Sequence, residues 1–319
     1  MRTLLAACAI ATTVVSGAGA QETYPSQVIR IIVPFTPGGS NDVLAREIAN
    51  GLQERLKQPA VVENRPGGGG SIAYSYVAKA KPDGYTLLVA PASFTIGPNL
   101  VTRSSYHPVD DFAPINMMAQ VPFVMVVPAR VKAGSVKEFI ALAKGAPKPF
   151  SFASSGPGTP HHLSAELFKM NADVDMVHVP YKGALSVMPD LLAGRVDMFI
   201  GAINSLLPPI DQKQIRALAT VGSKRAPSLP DVPTMSETFK DFVVDSPIGL
   251  VAPAGTPDAI IKTLNREVAD IISDKALQER MEKIGVQITG TTPEDYATFL
   301  RNDFAQWAKV VKAAGLKQK

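Results

Sequence analysis

Two short stretches of this chain combine the residue types that grip an anion without a dedicated cation. They are Phe35-Thr36-Pro37-Gly38-Gly39-Ser40-Asn41-Asp42 and Ser154-Ser155-Gly156-Pro157-Gly158-Thr159. Glycine admits a ligand against bare backbone N–H groups, hydroxyls donate hydrogen bonds, and a helix starting just afterwards offers the positive end of its dipole. A charge-assisted hydrogen bond contributes about 1.5–3 kcal/mol, so a few suffice for micromolar binding. A third glycine run, Gly68-Gly69-Gly70-Ser71-Ile72-Ala73, matches the permissive dinucleotide pattern G-x-G-x-x-A. The acid that would hold a ribose some twenty residues later is missing, because that stretch reads Val89-Ala90-Pro91-Ala92-Ser93. The run therefore reads as a tight structural turn.

Catalytic signatures are negative. There is no G-x-S-x-G, no Gly-Lys-Ser/Thr phosphate loop and no H-E-x-x-H. Of four histidines, His161 and His162 are adjacent and would point about 100° apart on a helix, which makes a poor chelate. His162 shares a helix face with Glu166 and reads as a capping or pocket-lining residue beside a surface carboxylate. His107 and His178 have no companion at fixed spacing. No catalytic group, metal or cofactor is expected.

The elements that must position these loops follow a strand–loop–helix rhythm. Val28-Ile29-Arg30-Ile31-Ile32-Val33 is a β-branched strand, and Leu44, Ile48, Leu52 and Leu56 then mark one face of a helix. Strands at Ala60–Asn64 and Tyr85–Val89 continue the pattern, which predicts α/β architecture with mostly parallel sheets. Two extended runs, Met118 to Pro128 and Val243 to Pro253, look like crossings between lobes. Between them lies a second set of βα units, and the tail beyond Pro257 reads helical almost to Lys319. The expected division is residues 21–121 with 246–319 as one lobe and 122–245 as the other. Such a double crossing is hinge architecture, with a cleft between lobes as the ligand site.

The chain has 319 residues, 46% of them hydrophobic and 19% charged, with 27 prolines and 24 glycines. That excludes both disorder and a membrane bundle. The net charge is +4 without any run of five Lys or Arg, so no nucleic-acid partner is expected. Arg2, the uncharged run from Leu4 to Gly17 and Ala18-Gly19-Ala20 form an export segment, 1–20, cleaved near Ala20. Leu5-Ala6-Ala7-Cys8 resembles a lipoprotein box but leaves almost no apolar region before it. Cleavage removes Cys8, the one cysteine, and leaves a protein expected to lie free outside the inner membrane, in the periplasm.

The motifs resemble those of the Bug family, the extracytoplasmic solute-binding proteins of tripartite tricarboxylate transporters. The likeness is carried by Ile31 to Asp42, Val62-Glu63-Asn64-Arg65-Pro66-Gly67, Pro82-Asp83-Gly84-Tyr85-Thr86 and Asp110-Asp111-Phe112-Ala113-Pro114. It continues through Ser154 to Thr159, Val179-Pro180-Tyr181-Lys182-Gly183, Gly194-Arg195-Val196-Asp197 and Ala252-Pro253-Ala254-Gly255-Thr256-Pro257. The resemblance implies a two-lobed periplasmic-binding-protein fold of the type II, Venus-flytrap kind that closes on a carboxylate. It assigns to the site Phe35, Thr36, Pro37, Gly38, Gly39, Ser40 and Asp42, with Ala92 and Ser93 beside them. On the other wall it assigns Ser154, Ser155, Gly158, Thr159, His162, Tyr181, Lys182 and Asp197. Its implied partners are a small mono- or dicarboxylate, an aromatic acid included, and the membrane permease subunits; the protein itself is expected to be monomeric. Tyr74 and Tyr76 fall where small or polar residues are common in relatives, and Phe94 adds an aromatic expected near the cleft. Alternatives are a ligand-sensing partner of a membrane receptor kinase, or an exported enzyme using His162 or Lys182 as an acid–base group.

Overall fold

The β-branched first strand is buried at Ile29, Ile31, Ile32 and Val33, as a strand covered on both faces must be. The computed structural model describes residues 24–316 apart from 182, 183, 223, 241 and 245. The export segment, Lys182 and Gly183 thus lie outside the described residues. In chain order the elements begin with β1 (Ile29–Val33), α1 (Ser40–Leu56), β2 (Ala60–Asn64), α2 (Ser71–Ala78), β3 (Thr86–Pro91) and α3 (Ser93–Leu100). Next come β4 (Phe112–Gln120), β5 (Phe123–Pro128), α4 (Val136–Gly145), β6 (Phe150–Ser154), α5 (Pro160–Ala172) and β7 (Met176–Pro180). They are followed by α6 (Met188–Leu192), β8 (Met198–Ala202), α7 (Ile203–Asp211), β9 (Ile215–Thr220) and β10 (Pro247–Pro253). The chain ends with α8 (Asp258–Ile272), α9 (Lys275–Lys283), β11 (Gln287–Ile288) and α10 (Pro293–Ala313).

These strands build two sheets, ordered β11-β4-β10-β3-β1-β2 and β7-β6-β8-β5-β9. The fold is α/β and two-lobed, as expected, but the sheets are more mixed than the βα rhythm implied. β1 runs parallel to β2 and β3, and β6 parallel to β7 and β8. β10 runs antiparallel to β3 and β4, and β5 antiparallel to β8 and β9. The antiparallel strands are those at the crossings, which enter each sheet against the direction set by its βα units. The expected single run from 118 to 128 divides at Val121-Pro122, where proline has no N–H to continue a ladder. Ile203 N–H instead donates to the Pro122 carbonyl at 2.9 Å.

The tail is not one helical stretch. β11 interrupts it, flanked by Gly285 and Gly290 in left-handed conformations, and pairs with the end of β4. α10 then runs back across the molecule: Trp307, Val310 and Val311 pack in one cluster with Leu163, Phe168 and Phe242, and with Ala92 and Ile96 of the first sheet's side. Asn204 Nδ2 donates to the Ile284 carbonyl at 2.8 Å, a second contact between elements of different sheets.

Candidate ligand-binding cleft

β1 and β3 are parallel neighbours, so the loop after β1 and the Ala92-Ser93 step after β3 leave the same edge of the first sheet. Open α/β sheets place ligands at that carboxyl edge. The loop is shaped by Asp42, only 3% exposed. Its carboxylate accepts Gly38 N–H at 3.0 Å, Arg46 Nε and Nη2 at 3.0 Å each, and Asn64 Nδ2 at 2.8 Å. Burial pushes the Asp42 carboxyl up, but the bonds from Arg46, Gly38 and Asn64 outweigh it and hold the group below the usual carboxylate range. Asn64 also donates to the Phe35 carbonyl at 3.0 Å. Asp42 is therefore the brace of the loop.

What the brace presents is backbone. α1 is preceded by Gly39, which supplies no side-chain cap, and the space beside Gly38 and Gly39 is open out to 4 Å. Thr36, Pro37, Gly38 and Gly39 are exposed, with Phe35 and Ser40 half-buried at the ends. Asp42 N–H and Val43 N–H close on the Gly39 carbonyl, so Ser40 and Asn41 N–H are the amides left at the positive end of the α1 dipole. Ala92 is buried, and Ser93 Oγ lies 2.7 Å from the Tyr74 hydroxyl.

The loop after β6 is tied to itself in the same manner. Ser154 Oγ accepts Gly156 N–H at 3.0 Å and sits 2.7 Å from His178 Nε2. Thr159 caps α5, accepting His162 N–H, and its hydroxyl donates to the Gly156 carbonyl at 2.7 Å. Gly158 N–H donates to His162 Nδ1 at 3.0 Å, which assigns Nδ1 as the acceptor and the ring N–H to Nε2, 3.7 Å from Glu166 Oε1. His162 stacks on His178 with ring centres 3.9 Å apart. Burial, with smaller contributions from His162 and Lys169, pushes His178 down to about 4 against the opposing pull of Glu166. Tyr181 N–H donates to the Ser154 carbonyl at 2.9 Å, and its hydroxyl donates to Asp190 at 2.7 Å and is pushed up to about 12, chiefly by burial.

The two walls meet through α3. Gly158 has φ +73°, and a Cβ there would stand 2.5 Å from Leu100 Cδ1, so the second loop packs against the end of a first-sheet helix. Among the described residues no hydrogen bond joins the 35–42 loop to the 154–159 loop. Each wall is complete in itself.

Not every expected residue gathers here. Asp197 precedes β8, and Met198 pairs with Phe152, so Asp197 lies level with Ser151. That is three residues before Ser154, about 10 Å back along the sheet. Its carboxylate accepts from Ser151 N–H, Ser151 Oγ and Arg130 Nη2 at 2.7–2.9 Å, a structural knot away from the carboxyl edge. Tyr74 and Phe94 are core residues, packed with Tyr106 and Phe112, because α2 and α3 turn them onto the sheet. Tyr76 is exposed, with the Arg65 guanidinium 3.6 Å above its ring. Glu166 is buried rather than on the surface. Conversely, Asn64 and His178 hold the two loops and were not singled out by sequence. The end of a strand beside β1 was a signal for Asn64, whereas only strand register brings His178 to Ser154.

Two crossed α/β lobes, each with a glycine–hydroxyl turn at its carboxyl edge, define a solute-binding protein of the periplasmic-binding class. The chain belongs to the tripartite tricarboxylate transporter family receptors, whose family model matches residues 44–316. It is 37% identical to Protein BugT of Bordetella pertussis (strain Tohama I) over 313 residues, 97% of this chain and 96% of that protein. The Bug-family resemblance of the motifs is borne out. Among solved structures it is similar to R. palustris Rpa4515 with adipate, at 35% identity and TM-score 0.74, covering 92% of this chain and 98% of that one. MatC from Rhodopseudomonas palustris with bound malate is similar at 28% identity and TM-score 0.71, covering 90% and 100%. Among the described residues no helix is long and apolar enough to cross a membrane.

Proposed function

We propose that this protein captures a small carboxylate between its two lobes in the periplasm and delivers it to the permease subunits of a tripartite tricarboxylate transporter. The observation that carries this reading is the paired design of the loops. The side chains of each loop bond mainly to their own loop or its supports, so the free backbone N–H groups that open α1 and α5 are the groups offered to an anion. The adipate and malate held by two related structures support a carboxylate ligand.

In this reading residues 21–121 with 246–319 move against 122–245. The ligand contacts are Thr36, Gly38, Gly39, Ser40 and Ser93 on one side, and Gly158 and Thr159 on the other, with Phe35, Pro37, Ala92, Ser154, Ser155, His162 and Tyr181 supporting them. Closure is a population shift, because only the closed state gives the ligand both sets of contacts. The test is thermal unfolding against malate, adipate, butyrate and benzoate. A ligand at 100 times its dissociation constant adds about 2.7 kcal/mol, a readable rise in Tm. A flat response to all four acids refutes the proposal, and consumption of an acid by the purified protein would move it to the enzymes.

A further inference from the structure

His161 is the second residue of α5 and stands at the seam where the chain passes between sheets. Its ring lies between two phenylalanines, with Phe123 at 4.9 Å and 21° and Phe199 at 5.5 Å and 9°. Phe123 opens β5 immediately after the Val121-Pro122 crossing, and both phenylalanines are buried. Burial pushes His161 down to about 4, so the ring is neutral at ordinary pH. Packing alone does not account for an imidazole here, since a third phenylalanine would stack as well without desolvating two nitrogens.

The two nitrogens are used unequally. Nδ1 lies 2.7 Å from Ser155 Oγ. Nε2 has no hydrogen-bond partner among the described residues. Nor is it sealed, because the buried side-chain atoms without a partner are Asn41 Oδ1, the Tyr296 hydroxyl and Trp307 Nε1. We assign the Ser155 hydroxyl as the donor to Nδ1, which leaves the ring proton on Nε2.

We propose that His161 is a specificity-determining residue: clamped between Phe123 and Phe199 and oriented by Ser155, it offers Nε2–H to a second oxygen-bearing group of the ligand. It then favours dicarboxylates and hydroxycarboxylates over plain monocarboxylates. This rests on the carboxylate-binding reading above and deepens it.

The test is calorimetric titration of the wild type, His161→Phe and Ser155→Ala with malate, adipate, butyrate and benzoate. His161→Phe keeps the ring stack and removes the donor. The wild type is expected to bind malate or adipate more tightly than butyrate and benzoate. His161→Phe should weaken malate or adipate about ten- to a hundredfold and leave the monocarboxylates unchanged, as expected for one hydrogen bond to a charged group. Ser155→Ala, which frees the ring to change tautomer, should weaken the same acids by a smaller factor and decides the matter if His161→Phe does not fold. Equal weakening of all acids, or no weakening, overturns the assignment. A wild type that prefers monocarboxylates overturns it while leaving carboxylate binding intact, and one that binds none of the four removes both.

Discussion

Replacing Asp42 with alanine unties the first loop, and the size of the loss follows from its partners. The carboxylate accepts bonds from Gly38, Asn64 and both forks of Arg46. Arg46 is half exposed at its side chain and rehydrates when released, so it is left out of the sum. The Gly38 and Asn64 bonds contribute about 1 kcal/mol each, for a total near 2 kcal/mol. Unfolding entropy of about 2.1 cal/mol/K per residue over the 319-residue chain is about 0.7 kcal/mol/K, so Tm should fall by about 3 °C. Because the folded state holds this carboxyl below its usual range, its stabilisation is complete above about pH 4 and fades as pH falls through the lowered folded value. Scanning calorimetry at pH 7 and pH 3 should therefore show the gap between wild type and Asp42→Ala narrowing in acid. A gap below about 1 °C at pH 7, or one equally wide in acid, refutes the brace.

Two further substitutions probe groups that fold together with the site. The Tyr296 hydroxyl is buried without a partner, so Tyr296→Phe should leave Tm unchanged or raise it by a few degrees; a loss of several degrees would mean the hydroxyl is bonded. His161 and His178 are both pushed down to about 4 while an unfolded histidine titrates near 6.5, so the unfolded chain binds more protons and stability declines as pH falls from about 6.5 toward 4. His178→Phe should flatten that slope by up to one proton in pH-dependent unfolding, and an unchanged slope would count against a neutral, buried His178.

Local chemistry carried much of this fold on its face. The β-branched run before Pro34 and the four-residue spacing of Leu44, Ile48 and Leu52 are one-dimensional signals, and Ile29, Ile31, Ile32, Val33 and those three helix residues are buried. Gly67 to Gly70 all have positive φ, and Gly70 sits against the Tyr74 ring, which is the tight turn their composition implies. Misreadings arose where burial depends on partners remote in sequence. Asp197 looked available because nothing local reveals that Ser151 and Arg130 use up its oxygens. His178 looked idle because its neighbours, Ser154 and His162, come to it only through strand register and the helix laid over it. The crossing strands were legible as extended segments, but their direction was not, since direction is set by the sheet that receives them.

The way the loops are closed has a consequence for recognition. Asp42 and Asn64 in one wall, and Ser154, Thr159 and His162 in the other, bond chiefly to backbone groups of their own loop or to the residues that brace it. Such loops are preorganised, so little ordering entropy is lost when an anion arrives, and the groups they offer recognise a carboxylate without regard to what it is attached to. Discrimination among acids must then come from side chains outside the loops. The seam at Phe123 and His161 is suited to this, because it adjoins the crossing about which the lobes would turn. A ligand reaching that seam meets its selecting contacts at the place where closure is decided, so contacts that distinguish one acid from another also bias the open–closed equilibrium. In that arrangement a poorly matched acid can occupy one loop yet fail to stabilise the closed form, which separates binding at a wall from capture between the lobes.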